Sequence, residues 1–167
     1  MNFRLFILFI LVFVALNLPI SAQTHGNSIY IEFLGNAGLY SINYDRLFSD
    51  DISMRVGFMY FESDFAIFFK DMDLFVIPIT LNYLAGSGDH KFELGGGPAL
   101  IFGQFRLTFL GLGESDLIDA NGIAGTATIG YRYQPADGGF LFRIGFTPWF
   151  GFGKFYPSAG FSFGFSF

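Results

Sequence analysis

The sequence predicts an all-β protein, a single closed antiparallel transmembrane β-barrel of eight strands that follows a cleaved N-terminal signal peptide. Three observations carry that expectation. Apolar and small residues alternate with a period of two, and charged residues stand in the middle of the alternating segments. After the N-terminus no apolar run reaches the length of a spanning helix, so the backbone of so aromatic a chain can be satisfied in lipid only by a closed barrel.

The N-terminal segment is read first. Met1–Arg4 is positive, Leu5–Leu18 is a nearly unbroken apolar run, and Pro19-Ile20-Ser21-Ala22 offers a small-residue exit. These are the three regions of a secretory signal peptide, and the run is shorter than the roughly 20 residues a membrane anchor helix needs. The expected division is therefore 1–22 as signal peptide and 23–167 as barrel domain. Loss of Arg4 takes Lys+Arg from 9 to 8 against 14 acidic residues, so the net charge goes from −5 to −6. Such acidity argues against nucleic acid, which wants clustered Lys and Arg. With no cysteine there is no disulfide framework, thiolate metal site or lipid-modified cysteine. Phe 26 and Gly 22, beside only 14% charged residues, set the chain apart from an average soluble domain.

Eight alternating segments follow: Ser28–Gly35, Leu39–Phe48, Ile52–Phe61, Leu74–Leu84, His90–Gln104, Ile123–Tyr133, Phe140–Phe150 and Tyr156–Phe167. The last is the clearest, with Phe161, Phe163, Phe165 and Phe167 on one face and Gly160, Ser162, Gly164 and Ser166 on the other. The weakest is the first hairpin, since Ser28–Phe48 also reads as one strand bent at Gly35-Asn36-Ala37-Gly38.

Charges decide which face is inside. Arg55, Glu93, Arg132 and Arg143 are mid-segment, and their same-face neighbours are small or polar: Ser53 and Gly57, Gly95 and Gly97, Thr128 and Gly130, Gly145 and Thr147. The opposite faces are bulky and apolar, as in Met54, Val56 and Phe58 or Phe140, Phe142 and Ile144. An arginine on the lipid face near the midplane costs about 2–4 kcal/mol, so all four charges belong in the lumen. Glu32 and Asp45 share that parity. The expected lumenal network is then Glu32, Asp45 and Glu93 against Arg55, Arg132 and Arg143, a structural polar core, with a proton or ion path as the alternative.

Connectors give orientation. Asp50-Asp51, Gly86–Asp89 and Gln134–Gly139 are short and polar, while Glu62–Asp73 and Phe105–Gly122 are long. Short turns on one side and long loops on the other are the asymmetry of outer-membrane barrels, which puts both termini in the periplasm of a Gram-negative cell. Tyr30, Tyr40, Tyr44, Tyr60, Tyr83, Tyr131, Tyr133 and Tyr156 fall near strand ends and read as interfacial girdles.

Three blocks carry a family resemblance. Glu32–Arg46 is similar to the opening of a group of bacterial outer-membrane β-barrel-domain proteins of unassigned function. Gly125–Pro135, continued by Asp137–Phe140 and Arg143–Pro148, resembles its C-terminal half, and Pro157–Phe167 its closing strand. The resemblance implies the barrel fold and the outer membrane, with no established activity. The terminal Phe167 resembles the signal by which the barrel-assembly machinery recognises its clients.

Candidate chemistry is sparse. His25 and His90 have no mid-strand serine partner, so no hydrolase constellation forms, and no catalytic residue, metal ligand or cofactor is expected. The carboxylates of Glu114-Ser115-Asp116-Leu117-Ile118-Asp119 match no calcium-loop spacing, and Gly95-Gly96-Gly97 has no following Lys or helix to make a phosphate cradle. Phe65-Ala66-Ile67-Phe68-Phe69 sits between charges in the long loop and marks a candidate contact. The expected role is a non-enzymatic envelope barrel with a side-chain-filled lumen. Its surroundings would be outer-membrane lipid and lipopolysaccharide, and loops 62–73 and 105–122 would meet an extracellular ligand or protein. The alternative is a narrow pore or a small-solute or lipid-handling barrel, which an eight-stranded interior disfavours.

Overall fold

A computed structural model describes residues 26–63, 69–107, 118–119, 121–151 and 153–167. The expected signal peptide, residues 64–68 of the first long loop and 108–117 of the second lie outside the described residues. The strands are β1 (Asn27–Gly35), β2 (Gly38–Ser49), β3 (Ile52–Ser63), β4 (Phe69–Ala85), β5 (His90–Leu107), β6 (Ile118–Asp119), β7 (Gly122–Tyr133), β8 (Gly139–Phe146), β9 (Trp149–Gly151), β10 (Lys154–Tyr156) and β11 (Ala159–Ser166).

An antiparallel ladder runs through β1, β2, β3, β4, β5, β7, β8 and β11, and β11 pairs back to β1, so eight walls close a barrel. The three short strands extend these walls. β6 continues β7 along β5, β9 continues β8 along β7, and β10 lies beside β9 ahead of β11. The breaks between β8 and β9 and between β10 and β11 fall at Pro148 and Pro157, which cannot donate to a ladder. Pairing survives around them: the Ala127 N–H donates to the Pro148 carbonyl at 3.1 Å and the Thr147 N–H to the Ser158 carbonyl at 2.7 Å.

Between β1 and β2 the register closes at Gly35 opposite Gly38, leaving Asn36-Ala37 as the turn. Gly38 takes φ +100, a left-handed conformation glycine reaches without steric cost. Ser28–Phe48 is therefore a hairpin, not one bent strand. Asn27 and Phe167 exchange two backbone hydrogen bonds of 2.8 Å, so these two residues share one rim with the turns after β2, β4 and β7.

The exterior is apolar and the interior polar. Ile123 is 70% exposed, Leu81 60% and Phe165 58%, whereas Arg55, Arg132 and Asp45 are at 0%. The phenylalanine rows do not meet at the centre.

The long connectors are corrected in part. β3 and β4 stay paired out to Ser63 opposite Met72, and β4 and β5 to Phe69 opposite Leu107. β4 has 17 residues and β5 18, well beyond the roughly 9–11 a strand needs to cross a bilayer. Beyond lipid neither face must be apolar, so the alternation that marks a strand in sequence fades while its hydrogen bonds continue.

Candidate functional site

Parity along each strand delivers six charged side chains to the lumen, one each from β1, β2, β3, β5, β7 and β8. They form one alternating line. Arg132 meets Asp45 through two bonds, Nη2 to Oδ1 at 2.8 Å and Nη1 to Oδ2 at 3.2 Å, and its Nη1 lies 4.0 Å from Glu93. Arg143 meets the same Glu93 at 2.7 and 2.6 Å and lies 3.6 Å from Glu32. Glu32 in turn accepts from Arg55 Nη1 at 3.2 Å. The order Asp45, Arg132, Glu93, Arg143, Glu32, Arg55 crosses the lumen with every neighbour of opposite sign.

Strands without a charge contribute partners or space. From β4, Thr80 accepts from Arg55 Nε at 3.1 Å, and Asn82 reaches Ser53 at 3.4 Å. In β11, Ser166 bonds Ser28 at 3.0 Å. Gly164 stands opposite Tyr30, and a Cβ there would lie 2.4 Å from the Tyr30 Cβ. The glycine is what lets a large ring fit beside it.

Tyr30 is the correction to the sequence reading. Its place near a strand end suggests an outer girdle, yet it is 1% exposed and inside. Its Oη accepts from Arg143 Nη1 at 2.8 Å, and the guanidinium carbon sits 4.9 Å from its ring centroid. It shares the parity of Glu32, and that was the signal available. The other tyrosines of the set lie on the outer face except Tyr156, which pairs with Trp149 opposite the inward Thr126.

One element went unforeseen. The β1–β2 turn bends into the barrel, leaving Asn36 at 0% and Ala37 at 2% exposure. Asn36 Oδ1 accepts from Arg55 Nη2 at 2.6 Å and from Thr128 at 3.1 Å. Its Nδ2 donates to Thr126 Oγ1 at 2.7 Å and the Ala127 carbonyl at 2.9 Å, and its backbone N–H to Glu32 Oε2 at 3.0 Å. The turn thus lies over the ionic line as a stopper. On the far side of it the inward face becomes apolar, with Met59, Val76 and Ala99 buried and Phe61, Leu74 and Ile101 packed against them.

Chemically this lumen is a set of ion pairs, in which Arg132 Nε is left without a hydrogen-bond partner among the described residues. Every carboxylate in the line faces a guanidinium, which holds its proton at any pH a protein meets. His90, the other candidate, bonds Tyr131 Oη at 2.6 Å at an exposed site. Among the described residues no group of His, Asp and Glu is placed to hold a metal ion.

The barrel resembles known structures. It overlays the N-terminal β-barrel domain of Pseudomonas aeruginosa OprF with a TM-score of 0.60 at 14% identity, over 86% of this chain and 96% of that one. The fold is that of the small outer-membrane β-barrels. Ail, the attachment invasion locus protein of Yersinia pestis, gives a TM-score of 0.55 at 14% identity, covering 87% of this chain and all of the other. Ail in complex with the heparin analogue sucrose octasulfate gives 0.53 at 16%. No family model matches the sequence, and no curated protein does. At these identities the likeness speaks of architecture, and function must be argued from this chain's own residues.

Proposed function

We propose that this chain is an integral protein of the Gram-negative outer membrane, a non-enzymatic barrel with a rigid, sealed lumen that holds its outer hairpins in place as a contact surface of the envelope. The observation that carries this reading is the closed line of lumenal ion pairs beneath an inserted turn, inside a wall whose outer face is hydrocarbon-like. A buried pair that loses one partner costs about 3–5 kcal/mol, so the six groups serve as cross-lumen struts tying six walls together.

In the same reading residues 1–22 are removed on export, 23–167 form the barrel, both termini face the periplasm, and Phe167 is read by the assembly machinery. Lipid and lipopolysaccharide surround the apolar band. Residues 62–73 and 105–122 supply the docking elements. A protein of this fold is known in complex with a heparin analogue, a polyanion. The net charge of −6 left after residues 1–22 are removed, with Glu62, Asp73, Glu114, Asp116 and Asp119 in these two stretches, favours a cationic or uncharged partner instead.

Cell fractionation with bilayer recording tests the proposal. Recovery in the outer membrane, with a heat-modifiable folded form and no discrete conductance, is expected. A soluble pool or stable single-channel steps would overturn it. Deleting the gene should raise sensitivity to detergents or reduce adhesion; an envelope unchanged in both would remove the assigned role.

A further inference from the structure

The barrel wall is incomplete at its outer end. β2 is paired with β3 only as far as Ile42 opposite Phe58, while β3 runs on to Ser63 beside β4. On the other flank β10 pairs β9, and among the described residues its second edge has no strand partner. The β1–β2 turn, which would otherwise fill this sector, has bent into the lumen. The result is a lateral notch between β3 and β10; on its β3 flank the Tyr40 hydroxyl of β2 donates to the Tyr60 carbonyl.

Behind the notch lies a cavity of about 490 Å³. Ala37 and Gly38 of the turn are its floor, Met59, Val76 and Ile101 belong to its back wall, and Leu39 and Tyr156 stand at its sides. Among the described residues of the lining, the Trp149 indole N–H is already spent on the Gly35 carbonyl, at 3.2 Å, and Tyr156 at the side brings the only hydroxyl. Beyond that hydroxyl the lining is apolar, and the cavity favours hydrocarbon over a polar solute. Its size lies in the range of small-molecule sites, about 300–1,000 Å³.

Its height decides the source of that hydrocarbon. Met59, Val76 and Ile101 point inward at the same level at which Tyr60, Phe75 and Phe102 point outward. Two residues further out the exterior turns polar, at Glu62, Asp73 and Gln104. The cavity thus sits at the upper edge of the apolar band, and its notch opens sideways onto that band. A chain could pass from the bilayer into it without entering water.

We infer that the notch and cavity bind one acyl chain of a membrane lipid, drawn laterally from the outer leaflet. The inference rests on the membrane placement proposed above.

Photo-crosslinking separates the two. The full chain is reconstituted into phosphatidylethanolamine–phosphatidylglycerol vesicles doped with a phospholipid carrying a diazirine at the end of one acyl chain. Adducts are expected on inward-facing Met59, Val76 or Ile101 as well as on outward-facing Phe75 and Phe102. Adducts confined to the outward residues would overturn the acyl-chain site while leaving the membrane placement intact. Adducts on neither set would overturn both. Leu74→Trp, which fills the cavity, should lower the inward yield about tenfold, a 1.4 kcal/mol loss of binding, and leave the outward yield unchanged. Leu39→Trp, which narrows the notch and lies away from the buried core, should act in the same direction if the first variant does not fold. Undiminished inward labelling in a folded variant would count against the site. So would equal inward labelling by a soluble diazirine-bearing alkane that competes out the lipid only when added from water.

Discussion

Arg55 donates to the Asn36 side chain at 2.6 Å, so an arginine from the middle of one wall holds down the turn between two others. The same asparagine bonds β7 through Thr126 and Ala127 and β1 through Glu32. A turn that sequence would place at the outer surface is thereby a lumenal element.

Asn36→Ala should destabilise the barrel by about 2–3 kcal/mol, because it removes four side-chain hydrogen bonds and leaves the Arg55 guanidinium short of one acceptor. Reversible urea unfolding in vesicles measures it. A loss below about 0.5 kcal/mol would mean that the turn is not anchored as described.

Glu93 stands between two arginines, bidentate with Arg143 and 4.0 Å from Arg132. Glu93→Gln should cost about 3–5 kcal/mol, since two buried guanidinium groups then lose their shared counter-charge. Adding Arg143→Gln should recover part of that loss, a coupling of about 1–3 kcal/mol in a double-mutant cycle. Strict additivity would show that the line of charges is a coincidence of packing.

Gly164, which faces the lumen beside Tyr30, and Gly125, which faces outward opposite Phe150, contrast a glycine without room for a side chain with one that has it. A Cβ on Gly164 would meet the Ile29 carbonyl at 2.1 Å and the Tyr30 Cβ at 2.4 Å, whereas on Gly125 the nearest atom is 3.6 Å away. Gly164→Ala should cost about 1–3 kcal/mol through forced backbone movement. Gly125→Ala should stay within about 0.5 kcal/mol. Equal behaviour of the two in thermal unfolding would refute the close fit of Tyr30.

Much of this fold was legible because one rule, period two, acts on both faces at once. All eight walls and all six lumenal charges follow from it, since an arginine in lipid is too costly to be ambiguous. Where that cost is absent the reading fails. Tyr30 reads outward because a tyrosine near a strand end is tolerated on either face, although its parity with Glu32 points inward. Gly35-Asn36-Ala37-Gly38 reads as a surface turn, and only the positions of Arg55 and Thr126 draw it inside. The apolar mouth was present in the parity of Met59 and Phe61 with Arg55, but it reverses the polarity rule that had identified the lumen.

Phe167 tests the difference between assembly and stability. Its ring is 60% exposed, and its backbone bonds to Asn27 do not depend on the side chain. A Phe167→Ser change should therefore alter the unfolding free energy of refolded protein by less than about 0.5 kcal/mol. In cells the same change should deplete folded barrel from the outer membrane and leave unfolded chain in the periplasm, if the terminal aromatic is what the assembly machinery reads. Quantifying the heat-modifiable form in membrane fractions distinguishes the two effects. Normal assembly beside a large stability loss would make Phe167 a packing residue and remove its role as a signal.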